Sequence, residues 1–212
     1  MSKGEETQER IVAKAAALFN QRGLEGTSLA DLMEATGLEK GGIYRHFPSK
    51  EAVAVEAFDY AWHLALETRM HDLDTISNSV DKLKRFVANF IDRQSPLPGG
   101  CPLLNSAIDS DDGNAALRDR VERALRQWRA RLASIVRTGI KNGEINSRVD
   151  PKRVAVLVIS SLEGGLMISR LNRDRESLRV VQTHLEQYLD SEVRVRNTSN
   201  GSTLKRTINP AS

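Results

Sequence analysis

Residues 150 to 171 read DPKRVAVLVISSLEGGLMISRL, and the apolar residues of this stretch fall on nearly every side of a helix. A surface helix needs only one apolar stripe. This one has to be covered on most sides, by its own domain and by a partner. Asp150 followed by Pro151 is a start signal, a cap and then proline at the first helical position. Ser160, Ser161, Gly164 and Gly165 are small and permit close approach of another helix. The most apolar part, VAVLVISSLEGGLMIS, is 16 residues long and holds Glu163, two glycines and three serines. It reads as too short and too polar to span a membrane, which takes roughly 20 apolar residues.

The same 3.6-residue period recurs along the rest of the 212-residue chain, and strand signals are scarce. Ile11, Ala15 and Leu18 mark a first helix that stops at Gly23. Ser28 and Asp31 have capping-box spacing for a short second helix carrying Leu29, Leu32 and Met33 and ending near Gly37. Residues 39 to 47 form a third, closed by Pro48. Ser49 caps a fourth. Longer helices follow: one with Val80, Leu83, Val87 and Phe90, a short one after SPLPGGCP, and a long one capped by Asn114 and carrying Trp128. The helix of residues 150 to 171 comes next, and Leu178 to Tyr188 mark the last. The expected fold is all-α, with three short helices in residues 1–50, a larger helical domain in 51–190, and a mobile polar tail in 191–212.

Several function classes are disfavoured. The start, MSKGEETQER, has no apolar run behind its lysine, so no secretory signal is expected. Cys101 is the single cysteine, which rules out an intrachain disulfide or a cysteine metal cluster and makes a cytoplasmic location the default. His46, His63, His71 and His184 show no metal-ligand spacing, and no glycine-rich phosphate loop follows a strand, so neither an enzyme nor a cofactor is expected. A membrane-surface role lacks the lysine-rich amphipathic segment it would need. Net charge is +3. Acids and bases balance over residues 1 to 50, but Lys40, Arg45 and Lys50 stand without an acid in the window 40 to 50. That is a small basic face rather than a broad basic surface.

The second helix, the turn at Gly37 and the third helix fit a helix-turn-helix, in which the second element enters the major groove of DNA. The segment TSLADLMEATGLEKGGIYRHFPSKEAV, residues 27 to 53, resembles the DNA-binding segment of TetR-family transcriptional repressors. Thr27, Leu29, Leu32, Met33, Gly37, Gly41, Ile43, Tyr44, His46, Phe47 and Ser49-Lys50-Glu51 carry the match. The resemblance implies a homodimer that binds a palindromic operator and is released by a small molecule. Without it, an all-α ligand-binding protein or enzyme is the competing reading.

Within this segment Ile43 and Phe47 should be core, while Thr27, Ser28, Lys40, Gly41, Gly42, Tyr44, Arg45, His46 and Lys50 are the expected DNA contacts. Tyr44 can donate its hydroxyl to a phosphate, and Arg45 can reach a phosphate or pair with guanine. His46 can bond a phosphate or pack locally. Lys40 and Lys50 fit phosphate neutralisation, and Thr27 can offer its hydroxyl or N–H at the start of the second helix. Gly41 and Gly42 either let the backbone approach DNA closely or merely tighten the turn into the third helix.

In the larger domain, Trp62, Phe86, Phe90, Cys101, Leu104, Asn105, Trp128, Glu163 and Met167 are candidates to line an effector cavity. Glu163 is either a polar group of that cavity or half of a buried pair with an Arg or Asn. Val158, Ser161, Gly164, Gly165, Leu185 and Tyr188 are the expected dimer contacts. Pro102 places Cys101 at a helix cap, where the dipole favours a thiolate; the competing reading is a small buried packing residue.

Overall fold

The computed structural model describes residues 2–93, 95–110 and 113–195. Among these, α-helices account for the architecture: α1 (Lys3–Arg22), α2 (Leu29–Thr36), α3 (Lys40–Tyr44), α4 (Lys50–Met70), α5 (Ser79–Asp92), α6 (Pro102–Asp109), α7 (Ala115–Lys141), α8 (Pro151–Asn172) and α9 (Glu176–Tyr188). The starts expected from sequence are observed as hydrogen bonds. Ser28 and Asp31 form a reciprocal capping box on α2. The side chains of Ser49, Asn114 and Asp150 accept backbone N–H bonds at the starts of α4, α7 and α8. Gly37 ends α2 in the left-handed conformation that few other residues adopt, which reverses the chain into α3.

Two hydrophobic cores form. The smaller gathers Ile11 and Ala15 of α1, Leu32 of α2, Ile43, Phe47, and Val53, Ala57 and Ala61 of α4. The larger is built on Phe58 and Trp62 of α4, Phe86 and Val87 of α5, Trp128 and Leu132 of α7, Val158 and Leu162 of α8, and Leu185 of α9. α4 therefore belongs to both, and the boundary expected at 50/51 falls on its first turn.

A second contact joins the cores. Asn20, near the end of α1, donates to the carbonyl of Pro98 at 2.7 Å. Asn105 of α6 donates to Asn20 Oδ1 at 3.0 Å and to the Gly99 carbonyl at 2.8 Å. Leu24 N–H donates to Asp109 at 2.6 Å. Gly99 has φ +104°, and a Cβ there would lie 2.4 Å from the Asn20 carbonyl oxygen, so only glycine lets this loop close on α1.

Three sequence expectations need correction. α8 runs 22 residues, so by length and composition it could cross a membrane; its packing against α7 and α9 makes it a core helix of the bundle. Of the expected dimer contacts, Val158, Gly165 and Leu185 are buried inside the protomer. A Cβ on Gly165 would meet Val181 of α9 at 2.9 Å, so that glycine serves packing within the chain. Finally, the segment expected as a mobile tail begins in ordered structure. A π-helical turn over Leu189–Val193 buries both of its end residues. Arg194 then pairs with Asp81 at 2.5 Å and Asp190 at 3.1 Å. Residues 196–212 lie outside the described residues.

Candidate nucleic-acid interface and cavity

α3 is short because two constraints meet on it. Gly37 turns the chain before it, and Ile43 and Phe47 must insert into the small core after one turn. Their burial leaves Lys40, Gly41, Tyr44 and Arg45 exposed, with His46 and Gly42 half-buried. Lys40 Nζ lies 5.9 Å from the Tyr44 ring centroid, within cation–π range. Gly41 and Gly42 are not among the glycines with positive φ. A Cβ on Gly41 would meet nothing within 4 Å, and one on Gly42 would reach Leu38 at 3.4 Å, the edge of ordinary contact. The fold of the chain itself therefore does not require glycine at 41.

Two expected contacts occupy different places. Thr27 is fully buried, and its hydroxyl donates to the Gly23 carbonyl at 2.7 Å, while its N–H points to the Leu24 carbonyl at 3.4 Å. Neither group is free for a phosphate. Lys50 Nζ donates to the carbonyls of Leu24 at 2.9 Å and Thr27 at 3.1 Å. It ties the α1–α2 loop to the start of α4 and acts as a positioning residue. Ser28 is exposed, but its hydroxyl is shared with Asp31, whose carboxyl is held below its ordinary range by those Ser28 bonds and by Arg22. Sequence alone shows neither loop carbonyls nor their partners, which is why Lys50 reads there as a free cation.

In the larger domain a cavity of about 410 Å³ opens between α4, α5, α8 and the loop before α6. Phe90 and Cys101 line it, with Ala65, Arg69, Asn89 and Leu166. The other expected lining residues sit elsewhere. Trp62, Phe86 and Trp128 are core; Trp62 and Trp128 pack edge to face at 5.2 Å. Leu104 packs against that core, Asn105 belongs to the junction with α1, and Met167 is exposed.

Glu163 is buried and faces Arg69, Nη2 to Oε1 at 3.8 Å, so it is half of a buried ion pair. Cys101 donates its thiol to Glu163 Oε1 at 2.9 Å. Burial pushes the Glu163 carboxyl above its ordinary range, partly opposed by Arg69 and Cys101. Cys101 does cap α6, as expected, but burial pushes its thiol up to about 11, with Arg69 opposing and Glu163 adding. Desolvation outweighs the helix dipole, and of the two readings the small buried residue holds rather than the thiolate. Arg69 went unnoticed in the sequence. Its signal was there, since Trp62, Ala65 and Arg69 share a face at i, i+3 and i+7, placing a charge on a buried stripe.

Two regions match models of known families. Residues 11–57 match "Bacterial regulatory proteins, tetR family", and residues 79–185 match "Tetracyclin repressor-like, C-terminal domain". A solved TetR transcriptional regulator from Chloroflexus aurantiacus J-10-FL is 47% identical, over 92% of this chain and all of that one, with a TM-score of 0.87. The HTH-type transcriptional repressor DhaR of Mycobacterium sp. is 26% identical over 81% of this chain and 86% of its own length. A transcriptional regulator from Saccharomonospora viridis, solved in complex with choline, is 25% identical over 91% of this chain and all of that one, at a TM-score of 0.77.

Lys50→Ala should loosen the α1–α2 loop and lower stability by about 1–3 kcal/mol, the scale of hydrogen bonds from a charged donor. Urea unfolding together with amide exchange over residues 24–28 checks this. Unchanged stability with a shallower salt dependence of DNA binding would return Lys50 to the phosphate contacts. Cys101 should resist iodoacetamide at pH 7 in the native protein and react readily in urea; mass spectrometry reads both, and rapid native labelling would contradict the raised thiol.

Proposed function

The chain belongs to the TetR family of bacterial transcriptional regulators, and from that premise we propose that it acts as a homodimeric repressor, released from a palindromic operator by a small molecule. Its matched domains and relatives are regulators, not enzymes, which removes the competing reading of a catalytic helical protein. The single observation that carries the DNA-binding reading is the open face of α3. Gly41 is exposed, helical and sterically unneeded by the fold, as suits a backbone that approaches phosphate or base edges without a Cβ between. Lys40, Tyr44, Arg45 and His46, with Gly42 and the exposed edge of Ser28, complete the contact face. Cytoplasmic location follows from a DNA partner.

The two-fold partner is a second copy laid on α8 and α9. Leu157, Ile168 and Leu171 are 38%, 43% and 78% exposed and form a stripe with Ser160, Ser161 and Gly164, flanked by Val180 of α9. Gly164 has open space around it, unlike Gly165. An apolar patch of this extent marks an interaction surface, and a dimer axis through it matches the two-fold symmetry of palindromic DNA. Tyr188 is half-buried and packs against the larger core.

Release by an effector is supported by the position of the cavity. The loop that lines it through Gly100 and Cys101 is the loop held by Asn20 at the end of α1 and by Asn105 of α6. A ligand that prefers one arrangement of this loop would shift the reading heads by that differential affinity.

DNA selected from random sequence by the pure protein should contain inverted repeats. On that DNA, Gly41→Ala is expected to have opposite effects on fold and function: a gain of about 0.4–1 kcal/mol in urea unfolding and a loss of operator affinity by anisotropy. Unchanged affinity would remove the close backbone approach. Ile168→Glu should sediment as a folded monomer with weakened operator binding; a persistent dimer would place the interface elsewhere.

A further inference from the structure

Arg69 is only 7% exposed, and its surroundings leave one of its donor nitrogens without a partner. The guanidinium carbon lies 4.5 Å from the Phe90 ring centroid, 4.8 Å from that of Trp128 and 5.3 Å from that of Trp62. Those rings answer the charge but offer no lone pairs to the N–H groups. Nη1 is buried with no hydrogen-bond partner. Nη2 stands 3.8 Å from Glu163, beyond hydrogen-bond range. Glu163 is no better served: Oε1 takes the Cys101 thiol, and Oε2 is buried without a partner. A buried charged donor left in this state is costly unless something completes it.

Arg69 lines the cavity, so what completes it can come from there. The planar guanidinium fork matches a carboxylate in bidentate fashion. Arg93 and Arg175 also line the cavity, and each has its own acid: Arg93 faces Asp72 at 3.5 Å and Arg175 faces Asp92 at 3.7 Å. Arg93 is oriented by Asn89 and Arg175 by the Ile91 carbonyl. Of these three guanidiniums, Arg69 alone has a buried nitrogen without a partner among the described residues, so what this wall lacks is a hydrogen-bond acceptor. The remaining wall includes apolar Phe90 and Leu166, and a volume of about 410 Å³ lies in the range of small-molecule sites.

We propose that this cavity binds a small organic carboxylate, its charged end on Arg69 and its apolar body against Phe90 and Leu166. The proposal rests on the reading of the cavity as the effector site and names the ligand class. Glu163 is then the internal anion with which the ligand competes for Arg69.

The test titrates the full-length protein with benzoate, cinnamate, 2-naphthoate and octanoate, and with the corresponding amides. Calorimetry measures affinity, and Trp62 and Trp128 fluorescence reports from beside Arg69. At least one acid should bind about tenfold or more tightly than its amide, the scale of a charge-assisted pair. Arg69→Met should erase that preference. Glu163→Gln, which removes the competitor, should strengthen acid binding several-fold, a gain that mere loss of structure would not produce. Acids that bind no better than their amides, no acid binding at all, or an acid affinity unmoved by Glu163→Gln would overturn the proposal. Operator affinity is measured in the same samples. Acid binding that leaves operator affinity unchanged supports the anion site and removes its reading as an effector site.

Discussion

Helix α4 runs unbroken from Lys50 to Met70 and supplies side chains to both hydrophobic cores. Everything else is arranged around that constraint. A rotation of α4 that suits Phe58 and Trp62 in the larger core also moves Val53 and Ala57 in the smaller one, because one rigid helix carries both sets. The exposed surface of α3 is fixed to the smaller core by Ile43 and Phe47, and so inherits the orientation of α4. Lys50 adds a tether at the helix start, binding two carbonyls of the α1–α2 loop. A side chain bound to loop carbonyls can thus help set the angle of α3.

The second link runs through amides. Asn20 and Asn105 join the end of α1 to the loop before α6, and Leu24 N–H joins it to Asp109. Such bonds are short-ranged and directional, so they break or shift as units rather than stretching. Together with α4 they give the head two attachments to the cavity-bearing domain. Movement of one attachment against the other is a physical route from cavity to head, since packed elements have discrete arrangements.

The polar cluster at the cavity follows a different logic from the rest of the interior. Burying the Arg69–Glu163 pair among three aromatic rings is no recipe for stability, because desolvation offsets most of the attraction. An apolar pair would fill this space at least as well. In the binding we propose, a ligand in the adjoining cavity completes the hydrogen bonding that Arg69 lacks within the chain. Cys101 belongs to the same cluster, which its thiol serves as a weak donor, held protonated by burial.

Much of this protein was legible from its residues. Helix period, caps and glycine stops set the element order, since those signals are local: Ser28 with Asp31, Asn114, and Asp150 with Pro151 each act within one turn of themselves. The spacing of Ile43 and Phe47 likewise determined which side of α3 is core and which is free. Tertiary structure decided what depends on distant partners. Thr27 and Lys50 look like phosphate ligands until loop carbonyls claim their donors. Gly164 and Gly165 are adjacent and alike, yet a 100° step around the helix leaves one open and puts the other against Val181. The apolar stretch of α8 says that it must be covered, but only packing divides its faces between the protomer core and the exposed stripe. Arg69 and Glu163 meet across 94 residues of chain, and no local rule brings them together.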